Sequence, residues 1–219
     1  MTPDRASDLT PGQARRWFTE PRFRPYLDEA DGRHELAAQL YVWNARVSSV
    51  LLETLHHVEV LLRNAIDDRF KPVDSSAPPR ETWLEDPAIL NAQSRKRVAE
   101  TIGRIRREGK KPTRGRVVAG LSFGFWRALF DKKYDSLWVS HLHRAFPHGG
   151  GDRAEIAATM ASLVPFRNRI AHHETIIRRP IQRHHDELLR LASLIDPEAA
   201  TWIRTHSRFD EVAAERPEP

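Results

Sequence analysis

Arg167, Asn168 and His172, followed at once by His173 and Glu174, place a fixed cation, an amide and two imidazoles within the eight residues 167–174. Arginine presents a permanently charged, bidentate fork to phosphate oxygens. Histidine titrates near neutrality, so it can take or give the proton that phosphodiester cleavage must move. Such a set handles phosphoryl chemistry with neither a metal nor a cofactor.

The spacing limits how these groups cooperate. On a straight helix Arg167 and His172, five positions apart, point about 140° away from each other, whereas Asn168 and His172, at i and i+4, share a face. Two arrangements would focus them on one phosphate. Either the helix ends near Ala171 and turns His172 back, or two copies of the chain meet across a two-fold axis and combine side chains. The second arrangement puts two imidazoles in one cleft, one as base and one as acid. His173 and Glu174 are candidate catalytic groups beside His172, His173 being the alternative proton-transfer imidazole; otherwise they would orient the site or cap the helix end, where a cation is favoured.

The elements that must position these residues read as helices. From His34 to Phe70 apolar residues recur in alternating steps of three and four, among them Leu36, Leu40, Trp43, Val47, Leu51, Leu55, Val58, Leu62 and Ile66, with no Gly or Pro between Gly32 and Pro72. The pattern predicts one helix on the order of 50 Å long, a spine for a bundle. Residues 71–80, rich in proline and serine, read as a loop, and a basic helix follows over 90–107, closed by Gly109 and Pro112. A helix after Thr113 carries Val117, Val118, Leu121, Phe125, Trp126, Leu129 and Phe130 inward. Another runs from Asp152 to about Ala171, into the Arg–Asn–His set. Pro180 suits the first turn of a last helix. The expected organisation is an all-α fold in one domain over 1–209, with a flexible tail at 210–219.

Charge is unevenly spread. Arg95, Lys96, Arg97, Arg104, Arg106, Arg107, Lys110, Lys111, Arg114 and Arg116 face only Glu100 and Glu108 in their segment, a local charge of +8 in a chain whose total is +5. A cationic stripe of this kind points to a polyanion, and RNA contact is the expectation. The chain has no cysteine, which removes disulfides, thiolate metal sites and cysteine nucleophiles and fits a reducing cytoplasm. No apolar run approaches the roughly 20 residues of a membrane span, and the N-terminus lacks a signal-peptide core.

Four blocks in order, Leu40-Tyr41-Val42-Trp43-Asn44, Glu59-Val60-Leu61-Leu62-Arg63-Asn64-Ala65-Ile66, Leu121-Ser122-Phe123-Gly124-Phe125-Trp126, and Arg167-Asn168 with Ala171-His172-His173, resemble the Abi-like (abortive infection) branch of the HEPN ribonuclease superfamily. The resemblance covers roughly residues 17–195. It implies a HEPN-like helical bundle, a homodimer, and metal-independent endoribonuclease activity used in phage defence or as a toxin, restrained by a separate antitoxin or inhibitor. By the same resemblance Arg167, Asn168 and His172 are catalytic. Glu59 and Arg63 stand at i and i+4, the spacing of an ordinary intrahelical ion pair, and the resemblance adds the alternative that they buttress the site from the long helix.

Three competing readings attach to other residues. Gly120-Leu121-Ser122-Phe123-Gly124 matches the nucleophile elbow of serine hydrolases, but that elbow needs a strand before it. Glu53-Thr54-Leu55-His56 is a single Glu-x-x-His, where a di-iron bundle needs two and further carboxylates. The strongest rival is a helical RNA-binding or interaction protein in phage defence that does not cut.

Overall fold

The computed structural model describes residues 9–71 and 83–218, and among these every regular element is helical. Most of the loop expected at 71–80 lies outside the described residues. Eleven α-helices follow in order: α1 (Pro11–Phe18), α2 (Glu20–Glu29), α3 (His34–Asp68), α4 (Ala92–Arg107), α5 (Arg114–Gly120), α6 (Phe123–Ala128), α7 (Asp135–Ser140), α8 (Arg153–Ala171), α9 (Ile181–Ile195), α10 (Pro197–His206) and α11 (Phe209–Ala214). No helix among the described residues is long and apolar enough to cross a membrane.

The spine helix α3 is the expected one, and α2, α5, α8, α9 and α11 all pack on it. Its stripe from Leu36 through Trp43, Val47, Leu51, Leu55, Val58 and Leu62 to Ile66 is buried. Burying each such side chain contributes about 1.5–3 kcal/mol before ordering costs. The far end of α3 is braced by Asp67, whose carboxylate accepts from Trp83 Nε1 at 2.8 Å and from Arg114 Nε at 2.9 Å, while its carbonyl accepts from Arg114 Nη2 at 2.7 Å. α8 starts where expected. Asp152 caps it, its carboxylate accepting from the Glu155 N–H at 3.0 Å.

Three segments differ from expectation. Helix α9, expected to be the last, is followed by α10 and α11. The helix expected from Thr113 to Phe130 is two helices, because Leu121 turns to extended backbone and Ser122 caps a new start at α6. Asp210 to Ala214, expected as a tail, form most of α11. Phe209, Val212 and Ala213, at i, i+3 and i+4, supply an apolar face too short to stand out in the sequence. Phe209 is fully buried and stacks on His185 at 4.1 Å, and the Val212 carbonyl accepts from Trp43 Nε1 at 2.9 Å. Beyond the helix Arg216 lies over the Trp43 ring and pairs with Glu29.

Candidate functional site

Helix α8 turns Ile156, Met160, Leu163, Phe166 and Ile170 into the core. Arg167, next to Phe166, is thereby set against the flank of α3. Its Nε stands 3.7 Å from Glu59 Oε2, with both side chains mostly shielded from solvent. No other ion pair or hydrogen bond to the Arg167 guanidinium is formed among the described residues, so its two terminal nitrogens are open to a ligand. Glu59 therefore pairs across helices. The intrahelical Glu59–Arg63 ion pair is not formed, and Arg63 instead points Nη1 at the Ala119 carbonyl, 3.5 Å away, with its Nε buried and unpartnered. Packing gives Glu59 the cation of α8, Arg167, as its partner in place of Arg63.

Asn168 and His172 share the outer face of the last turn. The His172 N–H donates to the Asn168 carbonyl at 2.9 Å, and both residues are exposed. The helix ends at Ala171, but His172 still occupies the helical register as its C-cap, so it is not turned back toward Arg167. Among the described residues no hydrogen bond joins Arg167 to His172. One copy of the chain thus presents the cation and the imidazole on diverging faces.

His173 and Glu174 close the helix. The His173 N–H donates to Ile170 (3.0 Å) and the Glu174 N–H to Arg169 (2.9 Å), the paired 5→2 and 6→1 bonds of a Schellman motif. The motif requires a left-handed residue, and His173 fills that place at φ 56°. Glycine is the usual occupant because a side chain is strained there. Where an apolar contact commonly seals the motif, Arg169 and Glu174 form an ion pair at 2.9 Å. Arg22 of α2 donates to the His173 carbonyl.

The turn that follows is anchored from three sides. Asn44, buried on α3, accepts from the Ile176 N–H at 2.9 Å and faces Thr175 Oγ1 at 3.4 Å. Arg178 donates to Glu29 at 2.7 Å, and Arg216 donates to the Ile177 carbonyl at 3.0 Å while pairing with Glu29. The Arg178 hydrogen bond, with Arg216 beside it, holds the Glu29 carboxyl below its ordinary range. Asn44, Arg22, Glu29 and Arg216 do not stand out as site residues in the sequence. Only Asn44 carries a signal there: it stands four residues after Leu40 and three before Val47, a polar side chain inside an apolar stripe.

The cationic stripe is divided by the fold. Arg97, Arg104 and Arg107 line an open groove of about 430 Å³ between α4 and the α5–α6 corner. Lys96 and Arg106 stand outside it. Arg114 belongs to the Asp67 brace and is partly buried. Arg116 donates to the Lys111 carbonyl at 2.9 Å and Lys110 pairs with Glu108 at 3.0 Å. Ser122 Oγ accepts from the Phe125 N–H as the α6 cap, with helix α5 rather than a strand before it, so the elbow geometry of a serine hydrolase is not formed. No three His, Asp or Glu side chains converge as a metal-holding group among the described residues. Comparison of the chain with protein-family models, with curated proteins and with solved structures gave no match.

Proposed function

We propose that this chain is a metal-independent endoribonuclease of the Abi-like, HEPN type, acting as a homodimer with a composite site. His172 takes the proton of a ribose 2′-hydroxyl, and O2′ attacks the adjacent phosphorus. A second imidazole, that of the other copy's equivalent histidine, protonates the departing 5′-oxygen. The products are a 2′,3′-cyclic phosphate and a 5′-hydroxyl. Arg167, steadied by Glu59, holds the phosphate and stabilises the charge that builds in the transition state, and Asn168 orients phosphate or imidazole.

The observation that carries this reading is the pairing of Arg167 with Glu59 beside an exposed Asn168–His172 face. The arginine is positioned but not consumed, and the histidine sits on a helix end braced by three elements. The divergence of Arg167 from His172 supports the composite site. So does Leu52, which is 46% exposed and lies two turns before Glu59 on the same side of α3. A second copy covering Leu52 would bury apolar surface next to the site. A toxic nuclease of this type works in the cytoplasm and needs restraint, which a separate antitoxin or inhibitor would supply.

The test is incubation of the purified protein with mixed RNA in excess EDTA, alongside His172→Ala and Arg167→Ala. Cyclic-phosphate ends are expected from wild type, with each variant slower by about 10² to 10³. Undiminished cleavage by His172→Ala, or cleavage of an all-DNA analogue, overturns the mechanism. RNA binding without cleavage by any form would favour the non-catalytic binding protein.

A further inference from the structure

The groove between α4 and the α5–α6 corner lies apart from the Arg167–His172 set, yet one backbone corner joins them. The Gly120 carbonyl accepts from Arg104 Nη2 at 3.1 Å, and the neighbouring Ala119 carbonyl faces Arg63 Nη1 at 3.5 Å. Arg63 is one turn beyond Glu59, which holds Arg167 at 3.7 Å. A line of guanidinium groups therefore runs from the groove to the site, and two of them are oriented by carbonyls of the same corner.

The corner depends on a missing side chain. A Cβ on Gly120 would lie 2.8 Å from both Arg104 Nη2 and Thr101 Cγ2, so glycine is what lets α5 end against α4 with Arg104 reaching its carbonyl. Within the groove, Arg97 and Arg107 are exposed, and their guanidinium groups make no hydrogen bond or ion pair among the described residues. Ten residues apart on one helix, they are separated by about 15 Å along its axis, longer than a single phosphate requires. The floor includes the buried Leu121 and Phe125, and one acid, Glu100, stands against the three arginines. An open, elongated, cation-lined trough matches a nucleic-acid strand, whose phosphates repeat along its length. A small anion would call for a closed pocket.

We propose that this groove seats the backbone of single-stranded RNA flanking the bond presented to Arg167, with Arg97 and Arg107 binding its phosphates and Arg63 as the link to the site. The assignment rests on the ribonuclease reading for its direction along the strand, while the binding itself can be tested without cleavage. The probe is a fluorescein-labelled single-stranded RNA with 2′-O-methyl riboses, which has no hydroxyl to attack. Its binding is read by anisotropy over a range of salt concentrations for wild type, for Arg97→Ala/Arg107→Ala, and for Lys132→Ala/Arg204→Ala, two exposed cations outside both the groove and the cationic stripe, as the control.

The groove pair is expected to weaken binding on the order of tenfold and to lower the slope of log affinity against log salt by about 1.4, since each single-strand phosphate left without its cation reduces it by roughly 0.7. The control pair should change affinity by less than about threefold, the effect of diffuse charge alone. Equal losses for the two pairs would overturn the groove in favour of diffuse attraction. No loss for the groove pair, or no binding by wild type, would overturn it outright. A groove that binds in a protein that leaves RNA uncut would leave this assignment standing and remove the nuclease reading, so the two failures are distinguishable.

Discussion

Helices α4 and α8 end with the same backbone device and fill its left-handed position differently. At α4 the Gly109 N–H donates to Arg106 at 2.9 Å and the Lys110 N–H to Ile105 at 3.1 Å, with Gly109 at φ 73°. At α8 the same two bonds form around His173 at φ 56°. Glycine adopts that conformation without strain, whereas an L side chain costs on the order of 1 kcal/mol there. The α4 end follows stability, and its Arg104, Arg106 and Arg107 also complement the negative pole of the helix. The α8 end carries that cost with an imidazole beside His172, held in place by Arg22, Asn44 and the Arg169–Glu174 pair.

The α8 end is expected to respond most to the loss of Asn44. Replacing it with Ala removes a buried acceptor and leaves the Ile176 N–H without a partner, so a loss of about 1–3 kcal/mol is expected in denaturant unfolding. Cleavage should fall with it, since the turn after His173 loses its anchor to α3. An Asn44→Ala protein of unchanged stability would show that the turn is held elsewhere.

A smaller effect separates the two helix ends directly. His173→Gly should raise stability by about 0.5–1 kcal/mol, and Gly109→Ala should lower it by about 1 kcal/mol, because each exchanges a strained occupant for a relaxed one or the reverse. Only the first should alter cleavage. If His173→Gly leaves stability and cleavage both unchanged, the imidazole at that position has no bearing on the site.

The smallest expected effect is a pH dependence. Burial lowers the pKa of His185, stacked on Phe209, with Asp210 and Asp186 opposing and Arg204 reinforcing the shift; burial does the same to His141. The folded pKa lies below the ordinary 6.5, so the unfolded chain binds protons first as pH falls. Stability is therefore fully present above about pH 6.5 and declines below it until the folded pKa is passed. His185→Phe, which keeps the stacked ring, should flatten part of that decline in thermal melts taken at successive pH values. A decline of the same steepness in the variant would assign it to other groups.

Much of the fold is legible in the sequence because its signals are local. The three-and-four spacing of Leu40, Trp43, Val47, Leu51, Leu55 and Leu62 requires a helix with one buried stripe, and Asp152 before Glu155 marks the start of α8. The break at Leu121 is hidden, although Ser122 is a capping residue, because the apolar pattern continues across it. Helices α10 and α11 are hidden because short amphipathic segments take their stability from the surface they cover. The candidate site is legible in its residue types and in the divergence of Arg167 from His172, which follows from helix geometry alone.

By itself the sequence determined the spine helix α3, the start of α8 and the facing of Asn168 with His172, since each depends on neighbours within a turn or two. Tertiary structure alone decided that Glu59 meets Arg167 rather than Arg63, that Arg114 serves Asp67, that Asn44 anchors the turn after His173, and that Arg97 and Arg107 line a groove. The physical reason is the reach of the interactions. Propensity, capping and periodicity act along the chain, whereas a charge or a buried amide takes whichever partner packing brings within about 4 Å.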